Sequence, residues 1–188
     1  MNELKTDAAQ SSVETGMAMY KTSPNYSSKE SGGIDSEGNP YLSLTFNPSG
    51  GVIGFMHCHL DATYVKSYAV FSLSDFVALG IMVENSNANT SEFVMYVTSN
   101  KGTFAVKLTN KQSIIDLKDY IVNNPEEADK RFKQYVKYTQ STNKQIKGLL
   151  QFLNEKSTNE IKLYQSDNQF GNWKEKYIEN NDVKSKDC

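Results

Sequence analysis

Hydrophobic residues follow two different periods along this chain, and the change divides it into two parts. In the first part, short apolar or alternating runs are separated by Gly, Pro, Asn and Ser, which is typical of β-strands and turns. In the second part, apolar residues recur every three or four positions, as in helices that bury one face. The pattern therefore predicts an α+β fold, in which a mixed β-sheet is flanked by helices and the C-terminal part is mainly helical.

The elements predicted in the first part are strands joined by loops, with one helix among them. A short polar helix is predicted at 2–12, a loop at 22–40, a turn at 47–51 and a helix at 72–83. Strands are predicted at 13–20, 41–46, 52–59, 93–98 and 103–108. Because only Ser99-Asn100-Lys101-Gly102 separates the last two strands, we expect them to form a β-hairpin.

The second part is predicted to contain helices at 114–122 and over much of 126–156, followed by a strand at 161–164. We expect 170–173 to anchor the tail and the polar end beyond it to be loose. An apolar stripe on the long helical stretch indicates core packing; its members are Phe132, Tyr135, Val136, Ile146, Leu149, Leu150 and Leu153. A chain of 188 residues fits one domain, with the sheet and candidate site in 13–110 and a helical extension and tail in 111–188.

Composition and charge exclude several classes of protein. A formal net charge of −2 and a pI near 5.7 argue against a nucleic-acid binder, which usually carries a basic face. No stretch approaches the roughly 18 apolar residues of a membrane span. The first residues lack the apolar core of a signal peptide, so an export route, if one is used, would be a specialised one, unless the sequence is excised from a longer protein. Two cysteines are too few for a disulfide framework.

The only two histidines of the chain, His57 and His59, stand together at the end of an apolar run, 51–56. On a strand, residues two apart project from the same face, so both imidazoles can reach one metal ion. Cys58 between them is expected to point into the core. A third ligand must come from elsewhere, and Asp75, in the first turn of the next predicted helix, is the natural candidate. Two imidazoles and a carboxylate would leave a tetrahedral zinc ion one open position for water.

Each of these features has a structural alternative. A lone His-x-His pair is common and usually structural, and Ser72-x-x-Asp75 also matches a helix capping box with Phe71 and Phe76 as its hydrophobic staple. The order of the features, with the histidines ending a buried strand, favours a metal site. Metallo-β-lactamases and amidohydrolases need further histidines, and zinc deaminases need paired cysteines. A two-histidine, one-carboxylate iron site remains an alternative, although its usual ligand order differs.

These residues resemble the signature of the JAMM (JAB1/MPN) metalloprotease domains. That signature is a Glu on an early strand, then His-x-His-Pro, and then Ser-x-x-Asp at the start of a helix. The matching positions here are Glu14, His57, His59, Ser72 and Asp75. The resemblance implies that His57, His59 and Asp75 bind Zn²⁺, that Glu14 is the general base and acid, and that Ser72 supports the oxyanion.

The chain departs from that signature at several points. Leu60 replaces the expected Pro, and in Glu14-Thr15-Gly16-Met17 the glycine is one residue closer to the glutamate than usual. The connection from His59 to Ser72 is several residues longer than usual, and we expect it to form a lid or a substrate-selecting loop. Glu30 and Glu37 are alternative upstream glutamates, but both fall in the loop-like segment, whereas Glu14 begins an apolar strand and is preferred.

The resemblance extends over most of the chain. Segments 93–108 and 163–173, and the tail that ends at Cys188, are similar to uncharacterised JAMM-like domains at the C-termini of bacterial secreted or polymorphic-toxin proteins. The resemblance implies a zinc-dependent hydrolase that cleaves a peptide or isopeptide bond in a protein or peptide substrate, and an immunity protein as partner if the domain is a toxin. The alternatives are a catalytically inactive JAMM-like binding or scaffold module, and a hydrolase of a non-peptide amide.

Overall fold

The computed structural model describes residues 1–36, 38–46, 51–61, 67–157 and 160–188, and these form five α-helices and ten strands. The helices are α1 (Asn2–Gln10), α2 (Leu73–Glu84), α3 (Lys111–Asn123), α4 (Pro125–Tyr135) and α5 (Thr142–Ser157). The strands are β1 (Thr15–Tyr20), β2 (Glu30–Ser31), β3 (Gly33–Ile34), β4 (Pro40–Tyr41), β5 (Val52–Cys58), β6 (Val94–Ser99), β7 (Gly102–Leu108), β8 (Ile161–Ser166), β9 (Trp173–Glu179) and β10 (Asp182–Asp187). The predicted α+β class is confirmed.

One mixed sheet organises the fold. Its eight strands lie in the order β10-β9-β8-β7-β6-β5-β1-β2 among the described residues, while β3 and β4 pair separately. The neighbours are antiparallel except β5 and β6, which are parallel. A parallel pair requires a crossover connection, and the chain between β5 and β6 supplies it as α2. The end of β5 and the start of α2 are thereby brought to the same region of the molecule.

The central strand β5 is covered on both faces. Its residues alternate between two clusters: Phe55 belongs to the main core, whereas Met56 and Cys58 pack with Leu4 and Ala8 of α1. Cys58 is fully buried, and its sulfur accepts a hydrogen bond from the backbone N–H of Thr15, at 3.3 Å. This confirms that the thiol points into the core. The two histidines lie on the opposite face, which they share with Phe55.

The helical segment after β7 packs its apolar stripe into the main core, as predicted. Tyr135 is partly buried, and the other six stripe residues are buried. The predicted stretch 126–156 is interrupted, because Val136 adopts an extended conformation (φ −119°, ψ 119°) at the end of α4. The connection 136–141 then leads into α5. None of the helices in the described part of the chain is long and apolar enough to cross a membrane.

Three predictions about segments outside the main elements were wrong. The predicted loop 22–40 contains the short strands β2 and β3 and the first residue of β4. The C-terminal end is not loose: β9 and β10 form a hairpin whose turn residues, Asn180 and Asn181, have positive φ angles of 50° and 64°, as type I′ turns require. The predicted strand 41–46 stops at Tyr41, because Thr45 donates its N–H to the carboxylate of Glu30 rather than to a neighbouring strand. In the predicted turn 47–51, residues 47–50 lie outside the described residues.

Candidate metal centre

The two histidines project together from the end of β5, as the alternation of a strand predicts. The exposed fractions of His57 and His59 are only 2% and 4%, and their Nε2 atoms lie 3.1 Å apart. His59 follows the last strand residue and still donates its N–H to the carbonyl of Thr98, at 3.0 Å. The parallel pairing with β6 therefore holds both histidine backbones in place.

The carboxylate of Asp75 faces both imidazoles from the first turn of α2. Its Oδ1 atom lies 3.1 Å from His57 Nε2, and its Oδ2 atom lies 3.4 Å from His59 Nε2. Oδ2 also accepts hydrogen bonds from the backbone N–H of Ser72 (2.7 Å) and from its hydroxyl (2.9 Å), and Ser72 Oγ accepts the N–H of Asp75 (3.4 Å). The capping box is therefore complete, and the same carboxylate reaches the histidines.

The spacing of these atoms fits a metal ion. Ligand atoms that lie about 2.0–2.1 Å from a tetrahedral zinc ion are separated from one another by about 3.3 Å. The two Nε2 atoms are 3.1 Å apart, and each imidazole has one carboxylate oxygen of Asp75 at a similar separation, Oδ1 at 3.1 Å from His57 and Oδ2 at 3.4 Å from His59. His57, His59 and Asp75 form a group of side chains that could hold a metal ion, so the ligand set predicted from the sequence is brought together.

The ring of His59 is oriented by a backbone carbonyl. Its Nδ1 lies 2.9 Å from the carbonyl oxygen of Tyr68 and donates its hydrogen to it. When the ring is neutral, the lone pair is then on Nε2, which faces the cluster, as in metal-binding histidines. His57 Nδ1 is buried and has no hydrogen-bond partner among the described residues, but the Phe55 ring packs against the imidazole, with the ring centroids 5.5 Å apart.

The electrostatics of the metal-free cluster favour an ionised carboxylate beside a protonated ring. Burial raises the pKa of Asp75, but the charges and hydrogen bonds of His57 and His59 outweigh it and hold that pKa well below its usual range. Burial lowers the pKa of His59, but Asp75, Glu14 and the carbonyl of Tyr68 raise it to about 9. A metal ion that binds here must therefore displace a proton at neutral pH.

Glu14 lies beside this cluster, one residue before β1. Strand β1 pairs with β5 so that Gly16 is opposite His57, and two further steps along the same register place Glu14 opposite His59. The side chain is buried, with 8% exposure. Burial raises the pKa of its carboxyl group, while the two histidines act in the opposite direction. Glu14 can therefore exchange a proton close to the candidate metal centre.

The other upstream glutamates are placed differently. Glu30 uses both carboxylate oxygens to accept the N–H of Thr45, at 3.0 and 3.2 Å, and it does not line the cleft described below. Glu37 lies outside the described residues. Within the part of the chain that the structure describes, Glu14 is thus the upstream glutamate that shares a cleft with the histidines.

The cluster opens into a cleft of about 730 Å³, which Glu14, His57, His59, Ser72 and Asp75 all line. One wall of the cleft is formed by α2, whose lining residues are spaced by four and three positions and so lie on one face of the helix. The residues of this wall and the adjoining apolar surface are Ser74, Ala78, Ile81, Leu42, Leu44, Phe46 and Phe55. The other lining residues include a more polar group, namely Ser67, Tyr68, Asp129, Lys133 and Tyr138. The lining of the cleft is therefore partly apolar and partly polar.

The long connection between His59 and Ser72 was predicted to be a lid or a substrate-selecting loop, and residues 62–66 of it lie outside the described residues. Its described end is part of the packed interior: Ala69, Val70 and Phe71 are at most 1% exposed. The contribution of Tyr68 was missed by sequence reasoning. It acts on His59 through a backbone carbonyl, which every residue type possesses, so its identity carries no signal in the sequence.

Comparisons with protein-family models, with curated proteins and with solved structures gave no significant match to this chain. The function of this chain is therefore inferred from the geometry of the site and from the resemblance of its five residues to the JAMM signature.

Proposed function

We propose that this protein is a zinc-dependent hydrolase of the JAMM type, which cleaves a peptide or isopeptide bond. One observation carries the proposal: a buried cluster of two histidines and an aspartate opens into a cleft that also contains a buried glutamate. Packing alone does not explain this arrangement, because a buried carboxylate is unfavourable unless it is paired or binds a metal ion. A zinc hydrolase can use all four side chains, three as metal ligands and one to transfer protons.

The roles follow from the positions of the side chains. Zinc held by His57, His59 and Asp75 would supply a bound water with its pKa lowered toward ~7 and would polarise the substrate carbonyl. Glu14, opposite His59, would take a proton from the attacking water and deliver it to the amine that leaves. The products are then a carboxylic acid, which receives the hydroxyl group of the water, and an amine, which receives its proton.

Ser72 has two roles in this proposal. Before substrate binds, its hydroxyl bonds to Asp75 Oδ2 at 2.9 Å and lies 2.8 Å from Ser74 Oγ. Rotation about its side-chain bond would aim the hydrogen at the developing oxyanion, while its backbone N–H continues to hold Asp75. The aspartate therefore stays oriented by that N–H while the hydroxyl of Ser72 serves the substrate.

The cleft suits an extended segment of polypeptide. Its volume of about 730 Å³ lies within the range of about 300–1,000 Å³ that is common for ligand sites. Ile81 lies six residues beyond Asp75 on α2, which corresponds to about 9 Å along the helix and to two or three residues of extended chain. We therefore infer a preference for an apolar side chain at that distance from the cleaved bond. A toxin or effector role, with an immunity protein as partner, is suggested by the family resemblance alone.

The second candidate function is a binding or scaffold module of the same fold without catalysis. It is favoured by the complete capping box, which gives Ser72 and Asp75 a structural purpose in the absence of metal. The two candidates differ in what Glu14 does. Glu14→Gln should remove turnover and leave zinc bound in a hydrolase, whereas partner binding by a scaffold should be indifferent to it.

The first experiment is a measurement of the zinc content of protein purified without added metal. We expect one zinc ion per chain in the wild type and a loss of zinc in His57→Ala and in Asp75→Ala. The matched control is Asn110→Ala, which removes the side-chain cap of α3 far from the site and should retain zinc. A wild-type protein without metal, which takes up zinc only partially when it is added, would contradict the proposal and favour the binding module.

A further inference from the structure

A buried glutamine, Gln145 on α5, has its polar atoms engaged at both ends. It is 0% exposed. Its Oε1 accepts the backbone N–H of Ala69 at 2.8 Å, and its Nε2 donates to the carbonyls of Gln140 and Tyr138 at 2.9 and 3.4 Å. A side-chain amide is costly to bury without such partners. Packing alone therefore does not explain why a glutamine occupies this interior position.

The bond to Ala69 reaches the metal centre through a single peptide group. The N–H of Ala69 and the carbonyl of Tyr68 belong to the same planar peptide unit, on opposite edges of it. Gln145 holds the N–H edge, and His59 Nδ1 donates to the carbonyl edge at 2.9 Å. The glutamine, the peptide plane and the imidazole form one chain of hydrogen bonds, in which each bond polarises the next.

The surroundings keep this chain in place. The Tyr68 ring packs edge-to-face against Phe132 of α4, with ring centroids 5.5 Å apart, while Gln145 fixes the connection between α4 and α5 through the carbonyls of Tyr138 and Gln140. Tyr68 and Tyr138 both belong to the polar group of residues that line the cleft, whereas Gln145 does not line it. One buried amide thus joins the helical pair to the segment that orients a candidate metal ligand.

We propose that Gln145 is a positioning residue for His59: by fixing the Tyr68–Ala69 peptide plane, it keeps the imidazole turned so that Nε2 faces Asp75. The metal-ligand part of this inference rests on the proposed function, whereas the positioning of the ring does not. Loss of the hydrogen-bond partner of a metal-binding histidine typically weakens metal binding by about 10–100-fold. Gln145 acts one hydrogen bond further away, through the peptide group.

The first test needs neither metal nor activity. Because the chain has only two histidines, ¹H–¹⁵N spectra contain two imidazole systems, which a His57→Gln variant assigns. In the wild type, the Nδ1–H of His59 should exchange slowly with water. Gln145→Met, which has similar size and no amide, should raise that exchange rate at least tenfold.

The matched control is Ser113→Ala, which removes a buried hydroxyl bonded to Glu160 and leaves the peptide plane untouched. It should lower stability without changing the exchange of the imidazole proton. If Gln145→Met does not fold, Gln145→Asn keeps the amide but shortens its reach by one methylene, and it should raise the exchange rate in the same direction. An Nδ1–H that exchanges as slowly in the folded Met or Asn variant as in the wild type would overturn the inference.

The second test measures zinc affinity by competition with a chelator of known strength. Gln145→Met should weaken zinc binding by about 10-fold, the lower end of the range for a direct partner of the histidine, and Ser113→Ala should change it much less. The two tests separate the two hypotheses. If the wild type binds no zinc, the proposed function is wrong, and the exchange experiment still tests the role of Gln145. If Gln145→Met and the wild type bind zinc equally well, the positioning role is contradicted.

Discussion

In the metal-free protein, a rise in pH from 6 to 9 should weaken the fold, and zinc should cancel this loss. The cause is His59, whose pKa is lowered by burial but raised to about 9 overall by Asp75, Glu14 and the carbonyl of Tyr68. A group with a raised pKa in the folded state stabilises the fold fully below its ordinary pKa of 6.5. That contribution disappears as the pH rises through 9.

The size of the effect follows from the same two values. The difference between about 9 and the ordinary 6.5 corresponds to about 3 kcal/mol of unfolding free energy, as an upper limit. For a chain of this length, each kcal/mol shifts the melting temperature by about 2–4 °C, so a loss of about 6–12 °C is the largest expected. Burial also raises the pKa of Glu14, which acts in the same direction, because its charged form is disfavoured in the fold.

Zinc and the proton compete for the same ring. Zinc binding at pH 7 should therefore release about one proton from His59, and zinc affinity should increase between pH 6 and pH 9. Titration calorimetry in two buffers with different ionisation enthalpies measures the released protons, and thermal unfolding at each pH measures the stability. The zinc-induced rise in melting temperature should be larger at pH 9 than at pH 6.

The matched variant is His59→Gln, which keeps an amide in place of the ring and cannot titrate. Its metal-free stability should depend less on pH between 6 and 9 than that of the wild type, and its melting temperature should respond little to zinc. Identical pH dependence of the two proteins would show that the cluster does not hold a proton on His59. The absence of proton release on zinc binding at pH 7 would refute the reasoning in the same way.

Three further predictions concern catalysis, specificity and folding. Glu14→Gln should lower peptide or isopeptide hydrolysis by about 10²–10⁴-fold in a steady-state assay, with unchanged zinc content. Ile81 is 48% exposed, and Ile81→Ser should raise KM about fivefold for substrates with a bulky apolar side chain, which corresponds to about 1 kcal/mol of lost contact. The control Val122→Ser, at a position on α3 that is 56% exposed, should leave KM unchanged. Gly54→Ala should cost about 3 kcal/mol or more in urea unfolding, because a Cβ atom would lie 1.7 Å from the carbonyl oxygen of Val94.

The parts of the fold that sequence reasoning predicted are those with strong local patterns. The apolar run of β5, the capping residues before α2 and the short turn between β6 and β7 each identify an element from a few neighbouring positions. The β9–β10 hairpin was missed because Lys, Glu and Asp together occupy most of its strand positions, and charged residues near a sheet edge look like a solvated tail. Its Asn180-Asn181 turn, in which both residues have positive φ angles, is the signal of a hairpin that the sequence contains.

The candidate metal ligands were predictable for the same reason, and their supporting residues were not. His57 and His59 are two positions apart in the sequence, and Asp75 follows at the start of the next helix, so residue types and order suffice to propose the cluster. Gln145 lies 76 positions from Ala69, and its partners are backbone groups that no residue type reveals. Support of this kind depends on how distant elements pack, which only the folded structure shows.

The Ser72-x-x-Asp75 segment shows why its two interpretations need not compete. A capping box turns the N3 carboxylate back toward the start of the helix, and here that direction also faces the histidines. Oδ2 takes the two hydrogen bonds from Ser72, while Oδ1 lies 3.1 Å from His57. The cap therefore pre-orients the carboxylate before any metal binds. Ser72→Ala should consequently retain zinc but bind it more weakly, since the backbone N–H of residue 72 still holds the carboxylate and the hydroxyl does not.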